Sequence, residues 1–367
     1  MKAEAAKMRA CGSHFWGIVG ALLGVGVVSS PVASAQTVAP AVEASAASLP
    51  TPKASGPLTI YARIAIPVPP GALPIAAEAP DGAVFFSQLN AKGNSEVWVV
   101  DGDTAPAVAE HVAGVVEALA AGPHDLYAAT YTRLTAYSRQ TGKQVGQWSL
   151  PRFSTANTSD AKLVSLSAWD GEVLVSVTMG NNIGIYRVNS AAATGLQQIA
   201  MGTSAAFGPA GSVYFVRADH HLVALSASGV TTVGPVMADK PNGLGGGVQY
   251  IEAVAGGLVW VIEPAGQGLD GGFTSYNEAT FEPIGHWDGS LTEQVTGTAA
   301  GPLVLTGQGL GHCPQPTQGL LCVERISPTG ALSDATPVAA AILLMGPDPA
   351  VIGGNSADTR DYLLRLG

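Results

Sequence analysis

The sequence predicts an all-β chain, a seven-bladed β-propeller of four-stranded blades, and three observations predict it. Apolar residues make up 47% of the 367 residues while charged residues make up only 12%, with 46 glycines between them. That mixture suits short buried strands joined by tight turns rather than helical bundles or a disordered chain. A turn followed by an apolar strand recurs seven times. The last copy lacks an outer strand, and the chain carries a spare one near its start.

The N-terminus reads as an export signal over residues 1–35. Lys2, Lys7 and Arg9 form a positive region, Phe15 to Val28 is apolar, and Ala33-Ser34-Ala35 supplies a small-x-small cleavage site before Gln36. The apolar stretch is shorter than the roughly 20 residues of a spanning helix, and no later stretch is longer. A secreted or periplasmic location, bacterial by the Ala/Gly-rich signal, is the expectation, with no membrane span after cleavage. Residues 36–56 are rich in Ala, Ser, Thr and Pro and read as a flexible linker. The domain proper is expected over 57–367.

The repeats start at Gly82, His124, Gly171, Gly211, Gly257, Gly301 and Pro349, at spacings of 42, 47, 40, 46, 44 and 48 residues. Periods of about 40–50 residues holding four short strands are those of propeller blades. Each marker is followed by a Val/Leu/Tyr/Phe run, such as AVFFSQL after Gly82 or LVWVIE after Gly257. A small-residue strand precedes each run and a more polar strand follows it. The seventh copy ends at Asp361-Tyr362-Leu363-Leu364-Arg365-Leu366, its third strand. Leu58 to Ile66 is an unpartnered strand, and placing it as the outer strand of the seventh blade closes the ring and removes the exposed edges.

Two blades share a sharper pattern. Tyr137, Thr141 and Trp148 align with Tyr276, Thr280 and Trp287 as Y-x3-T-x4-G-x-W, 139 residues apart, three blade periods. The Thr is expected in the turn before the outer strand and the Trp on that strand, packed between blades. With Gly142 and Lys143 after Thr141, the first copy resembles the quinoprotein-like (PQQ-type repeat) propellers, in which a Thr-Gly-Lys turn precedes an outer-strand Trp. The resemblance covers the architecture of about 310 residues and implies a propeller of that type; it carries over no quinone site.

The formal net charge is −10, and removal of the signal leaves 14 basic residues against 26 acidic ones. Such a surface disfavours nucleic acid, whose binding draws on Lys and Arg. Cys313 and Cys322 remain as an even pair flanking a Pro-rich stretch, the expected disulfide of an oxidising compartment. A zinc site from these two and His312 lacks a fourth ligand.

Glu78, Glu117 and Glu252, with Glu293, lie on inner strands. Carboxylates converging in the central channel could hold Ca²⁺. The four do not share one offset from their turns, which favours solvated positions at the channel mouth. His220 and His221 are adjacent and would face opposite sides of a strand. The loops at 243–247 and 266–272 are Gly-rich but lack the Lys-Ser/Thr of a phosphate cradle. A complete ring without a catalytic set suggests a secreted, monomeric binding or protein-interaction module for a protein, glycan or small molecule. The alternative is a propeller enzyme of quinoprotein-like dehydrogenase or lyase/lactonase type with Ca²⁺ in the channel.

Overall fold

The structure, a computed structural model, describes residues 58–68, 74–151, 162–179, 182–189, 195–236, 250–263, 272–288, 292–298, 301–306, 320–329, 331–339, 342–344, 350–353 and 361–366. The export signal, the linker and Cys313 lie outside them. Among the described residues, twenty-eight strands form seven four-stranded antiparallel sheets. Blade 1 holds β2 (Ala76–Glu78), β3 (Val84–Leu89), β4 (Ser95–Val100) and β5 (Ala107–Val112), and blade 2 holds β6 (Val116–Ala121), β7 (Asp125–Thr130), β8 (Arg133–Ser138) and β9 (Gln144–Ser149). Blade 3 comprises β10 (Lys162–Trp169), β11 (Glu172–Met179), β12 (Asn182–Asn189) and β13 (Gln197–Ala200). Blade 4 comprises β14 (Gly202–Phe207), β15 (Val213–Arg217), β16 (His221–Leu225) and β17 (Thr231–Val236). Blade 5 runs through β18 (Tyr250–Ala255), β19 (Leu258–Glu263), β20 (Gly272–Asn277) and β21 (Pro283–Asp288). Blade 6 runs through β22 (Thr292–Thr298), β23 (Gly301–Thr306), β24 (Leu320–Ile326) and β25 (Leu332–Ala339). Blade 7 takes β26 (Ile342–Leu344), β27 (Ala350–Gly353) and β28 (Tyr362–Leu366) from the end of the chain and β1 (Ile60–Ala65) from the start.

The innermost strands β2, β6, β10, β14, β18, β22 and β26 touch in that order, and β26 touches β2. The ring is therefore closed, as a seven-bladed propeller. Second strands are buried on both faces, and they read as near-continuous apolar runs: Val84, Phe85 and Phe86 in β3, and Leu126, Tyr127, Ala128 and Ala129 in β7. Outer strands such as β9 are mostly exposed and correspondingly polar. The turns into the second strands hold Gly82, Gly171, Gly211 and Gly257 at φ between 75° and 84°, a conformation that only glycine adopts without strain.

Closure works as the spare strand requires. β1 pairs antiparallel with β28, from Ile60 opposite Leu366 to Ala65 opposite Tyr362. The Arg63 guanidinium stacks 3.8 Å from the Tyr362 ring centre. Just before β1, Leu58 enters the core between blades 6 and 7 with Leu303, Val323 and Leu364. Just after it, Ile66 and Val68 enter the core between blades 7 and 1 with Phe86, Val100 and Ile352. The backbones of Ile66, Val68 and Asp361 exchange two hydrogen bonds of 3.0 Å. Arg365 then ties the last blade to the first. Its buried guanidinium donates to the Gly82 carbonyl at 3.0 Å and to the Gly102 carbonyl at 3.1 Å.

Deleting Leu58 to Ile66 removes one whole ladder and two fully packed side chains, each worth about 2–3 kcal/mol. We expect the deleted protein to lose its cooperative thermal transition or to melt on the order of 10 °C lower. Wild-type melting of that truncation, followed by circular dichroism, would refute the closure.

Candidate functional site

Strand direction gives the ring two unlike faces. Connections from a first to a second strand, and from a third to a fourth, lie on one face. Connections from a second to a third strand, and from one blade to the next, lie on the other. Between the described strands, every connection of eight residues or more belongs to the second kind: 66–75, 150–161, 237–249, 264–271, 307–319 and 354–361. On the opposite face the longest connection is 190–196, between β12 and β13. The face that carries the second kind is therefore the long-connection face, and the other is the short-turn face.

Two clefts open along the blades toward the long-connection face. One, of about 420 Å³, lies between blades 3 and 4, with Ile199, Met201 and Phe215 as apolar wall and Arg217 and Asp219 at its polar end. Arg217 forks onto the Asp219 carboxylate with two 2.6 Å hydrogen bonds, and His221 Nδ1 lies 3.2 Å from the same carboxylate. The Arg217 fork holds the Asp219 carboxyl well below the usual carboxylate range. His220, in the turn beside them, has φ of 63°. The second cleft, of about 500 Å³, is lined by the β3–β4 turn, including Lys92 and Asn94, and by His111 of β5. On the same face Leu89, Val115, Tyr131 and Met201 are all about half exposed.

The short-turn face carries several of the bonds between neighbouring blades. Arg139, after β8, forks onto the Asp81 carboxylate of blade 1 with two 2.7 Å hydrogen bonds. It also donates to the Gly122 and Pro123 carbonyls of its own blade. The Tyr214 hydroxyl of blade 4 donates to Glu278 of blade 5 at 2.9 Å. The Ser275 hydroxyl of blade 5 donates to the Pro328 carbonyl of blade 6 at 2.6 Å. Arg365 closes the circuit from blade 7 to blade 1. None of these pairings between blades stood out in the sequence, because each joins residues more than 50 positions apart.

The inner-strand glutamates fall into two groups. Glu78 is the last residue of β2, opposite Val84, and is buried. Glu117 and Glu252 lie near the beginnings of β6 and β18, at the opposite end of the channel. The expected trio is thus not brought to one level. A different set is. Four inner strands carry a bulge near their start, and the ladder skips Glu117 in β6, Thr203 in β14, Glu252 in β18 and Glu293 in β22. Counting from the turns hid this shared position, because the strands and turns between it and the following marker differ in length. The side chains of Glu252 and Glu293 lie outside the described residues. Among those described, no group of three or more His, Cys, Asp or Glu could hold a metal ion.

The repeated motif residues serve turns and seams. Thr141 and Thr280 occupy the turn between third and outer strands, and each hydroxyl accepts from the backbone N–H two residues on, of Lys143 and Glu282. Tyr137 and Tyr276 are buried on third strands, in the core between blades 1 and 2 and in that between blades 4 and 5. Trp148, on β9, packs against the core between blades 2 and 3 that holds Leu134, Val173 and Val175. The motif glycine has a different reason in each copy. A Cβ at Gly146 would stand 2.2 Å from the Trp148 ring, whereas one at Gly285 would stand 2.3 Å from the Thr329 backbone of blade 6. Trp287 lies on β21 opposite Phe273, its side chain outside the described residues. Cys322 is buried on β24 beside Thr306.

Comparison with known proteins adds a fold. No protein-family description matches the chain, and no characterised protein sequence does. Among solved structures, U3-55K is similar with a TM-score of 0.51 and 9% identity, over 84% of this chain and 98% of that one. The extracellular domain of the one-component system BT4673 from B. thetaiotaomicron gives 0.48 and 10%, over 84% of this chain and 39% of that one. The WD40 domain of Toxoplasma gondii coronin gives 0.45 and 11%, over 85% and 88%. At such identities the likeness is one of propeller architecture.

The seam bonds carry a pH signature. Burial raises the Tyr214 hydroxyl above the usual tyrosine value, and the bond to Glu278 raises it further. Burial also raises Tyr137 and Tyr186. Above about pH 10 the unfolded chain therefore binds fewer protons than the folded one, so stability is whole below that pH and falls as pH rises. We expect melting temperature to drop between about pH 10 and pH 11.5. Tyr214→Phe should soften that drop while costing about 1 kcal/mol at neutral pH; an unchanged alkaline slope in the variant would refute the assignment.

Proposed function

We propose that the chain is an exported protein-interaction module that receives its partner on the long-connection face. The observation that carries this reading is the segregation of connections: the short turns occupy one face, and the long segments and the ends of both clefts occupy the other. Long connections on a rigid scaffold are where recognition concentrates, since they vary without disturbing the sheets that position them. The apolar residues exposed there supply contact area. The signal-like N-terminus supports export, and a Cys313–Cys322 disulfide would staple the 307–319 connection to β24 at the same face.

A second reading is favoured by one observation, the shared bulge position of Glu117, Glu252 and Glu293. A cation such as Ca²⁺ at that mouth would suit a propeller enzyme of the quinoprotein-like or lyase/lactonase type. Calorimetric titration with calcium chloride tests it: heat of binding that Glu117→Gln and Glu252→Gln abolish supports it, and no heat removes it.

For the interaction reading, a photo-crosslinking amino acid is placed at Met201 on the long-connection face or at Val230 on the short-turn face, both well exposed. Irradiation of the exported protein in its host should yield a discrete covalent adduct from position 201 and none from 230. Adducts from 230 alone, or equally from both, would overturn it.

A further inference from the structure

We propose that Glu110 makes the seam between blades 1 and 2 an acid-tightened joint, a contact that costs stability while its carboxyl is charged and loses that cost on taking up a proton. Such a joint belongs to the scaffold and does not depend on the interaction reading above.

Glu110 lies on β5, the outer strand of blade 1, as the ladder partner of Val97. Ladder partners share one face of a sheet. Val97 belongs to the apolar core between blades 1 and 2, together with Leu126 and Tyr137 of blade 2. The half-buried Glu110 is therefore directed across the seam. There it meets the β8–β9 turn, where a Cβ on Gly142 would stand 3.0 Å from Glu110 Oε1. The turn is fixed, since the Gly142 N–H donates to the Ser138 carbonyl at 2.8 Å. The glycine after Thr141 thus has a second use. It takes a φ of 65° and also leaves room for a carboxylate of the preceding blade.

A half-buried carboxylate is ordinarily bonded to something. Among the described residues, no hydrogen bond or ion pair reaches Glu110. The charged and titratable groups of the elements packed against it do not neutralise it. On β8, the buried Tyr137 hydroxyl is raised by burial and then by the Glu110 charge itself. Arg133, on the same strand, donates to the Ala113 carbonyl of the β5–β6 link at 3.4 Å. Lys143, beside Gly142, is exposed. On its own strand, the exposed His111 follows Glu110 and is the ladder partner of Glu96. Burial raises the Glu110 carboxyl above the ordinary 4.5, and the attraction of His111 offsets only part of that.

A carboxyl raised by folding holds its proton more tightly in the folded chain than in the unfolded one. Its charge therefore costs stability at neutral pH. The cost fades as pH falls through the folded value and is gone below 4.5, where both states are protonated. The same seam holds a bond of opposite sign. Burial opposes it, but the bonds from Arg139 and from the Ala83 N–H keep the Asp81 carboxyl below its ordinary 3.8. That contribution is whole above 3.8 and is lost only in stronger acid. The joint is tightest in mild acid, where Glu110 is neutral in the folded chain and Asp81 still charged.

The test compares wild type with the isosteric Glu110→Gln at about pH 7.5 and about pH 4. The variant should melt higher at the upper pH, and the gap should shrink by about 1–3 °C at the lower one. Hydrogen exchange, corrected for intrinsic rates, then reads the joint itself. The gain in protection of the Gly142 amide between the two pH values should be severalfold larger in wild type than in Glu110→Gln. His111→Gln should keep the wild-type gain. A gap that does not change with pH, equal gains in wild type and Glu110→Gln, or a gain lost in His111→Gln overturns the proposal; the last would assign the effect to the histidine.

Discussion

A ring of sheets is stable only if its first and last blades meet. Were they parted, the apolar cores between blades would open to water at one place, and two blade faces would lose their cover. The chain meets this demand by dividing blade 7 between its two ends. β1 completes the ladder, Leu58 fills the seam on one side of that blade, and Ile66 with Val68 fills the seam on the other. Arg365 adds a bond that crosses from β28 to two carbonyls of blade 1. The bond to Gly82 is buried, so loss of the guanidinium would leave that carbonyl without its partner.

The rest of the architecture divides its work between faces. The short-turn face joins blade to blade through Arg139 and Asp81, Tyr214 and Glu278, Ser275 and Pro328. Tight turns suit that role because they hold side chains at fixed positions. On the other face, the β5–β6 link is equally short and bonded, but the connections at 237–249 and 307–319 are long. Such segments cost little extra closure entropy as they lengthen, so this face can be elaborated while the seams opposite stay as they are.

Strand content, blade number and closure were legible in the sequence because they follow from local chemistry. Glycine at positive φ marks the turns, as at Gly82 and Gly171, and the burial of second strands on both faces makes them continuous apolar runs. The missing seventh outer strand was visible as a simple mismatch between two chain ends. The level of the channel carboxylates was not. Glu117, Glu252 and Glu293 share a bulge position, but strands and turns of unequal length separate it from the next turn marker, and a bulge has no fixed residue signature at these positions. The exposure of Leu89, Val115 and Tyr131 was equally hidden, since apolar residues at strand ends read as core until the ring shows what faces water. The Y-x3-T-x4-G-x-W pattern was legible but its glycines were not explained by it: Gly146 makes room for a tryptophan and Gly285 for a neighbouring backbone.

The shared seventh blade also sets the orientation of the molecule. β1 starts, and β28 finishes, on the short-turn side, with Ile60 beside Leu366. Whatever joins the domain before Leu58, and whatever is fused after Leu366, leaves from that side. A surface or carrier attached through either end would hold the propeller like a dish on a stalk, with the opposite side turned outward and unobstructed. Attachment at both ends would load the β1–β28 ladder directly, making the strand that closes the ring also the first to feel a pull.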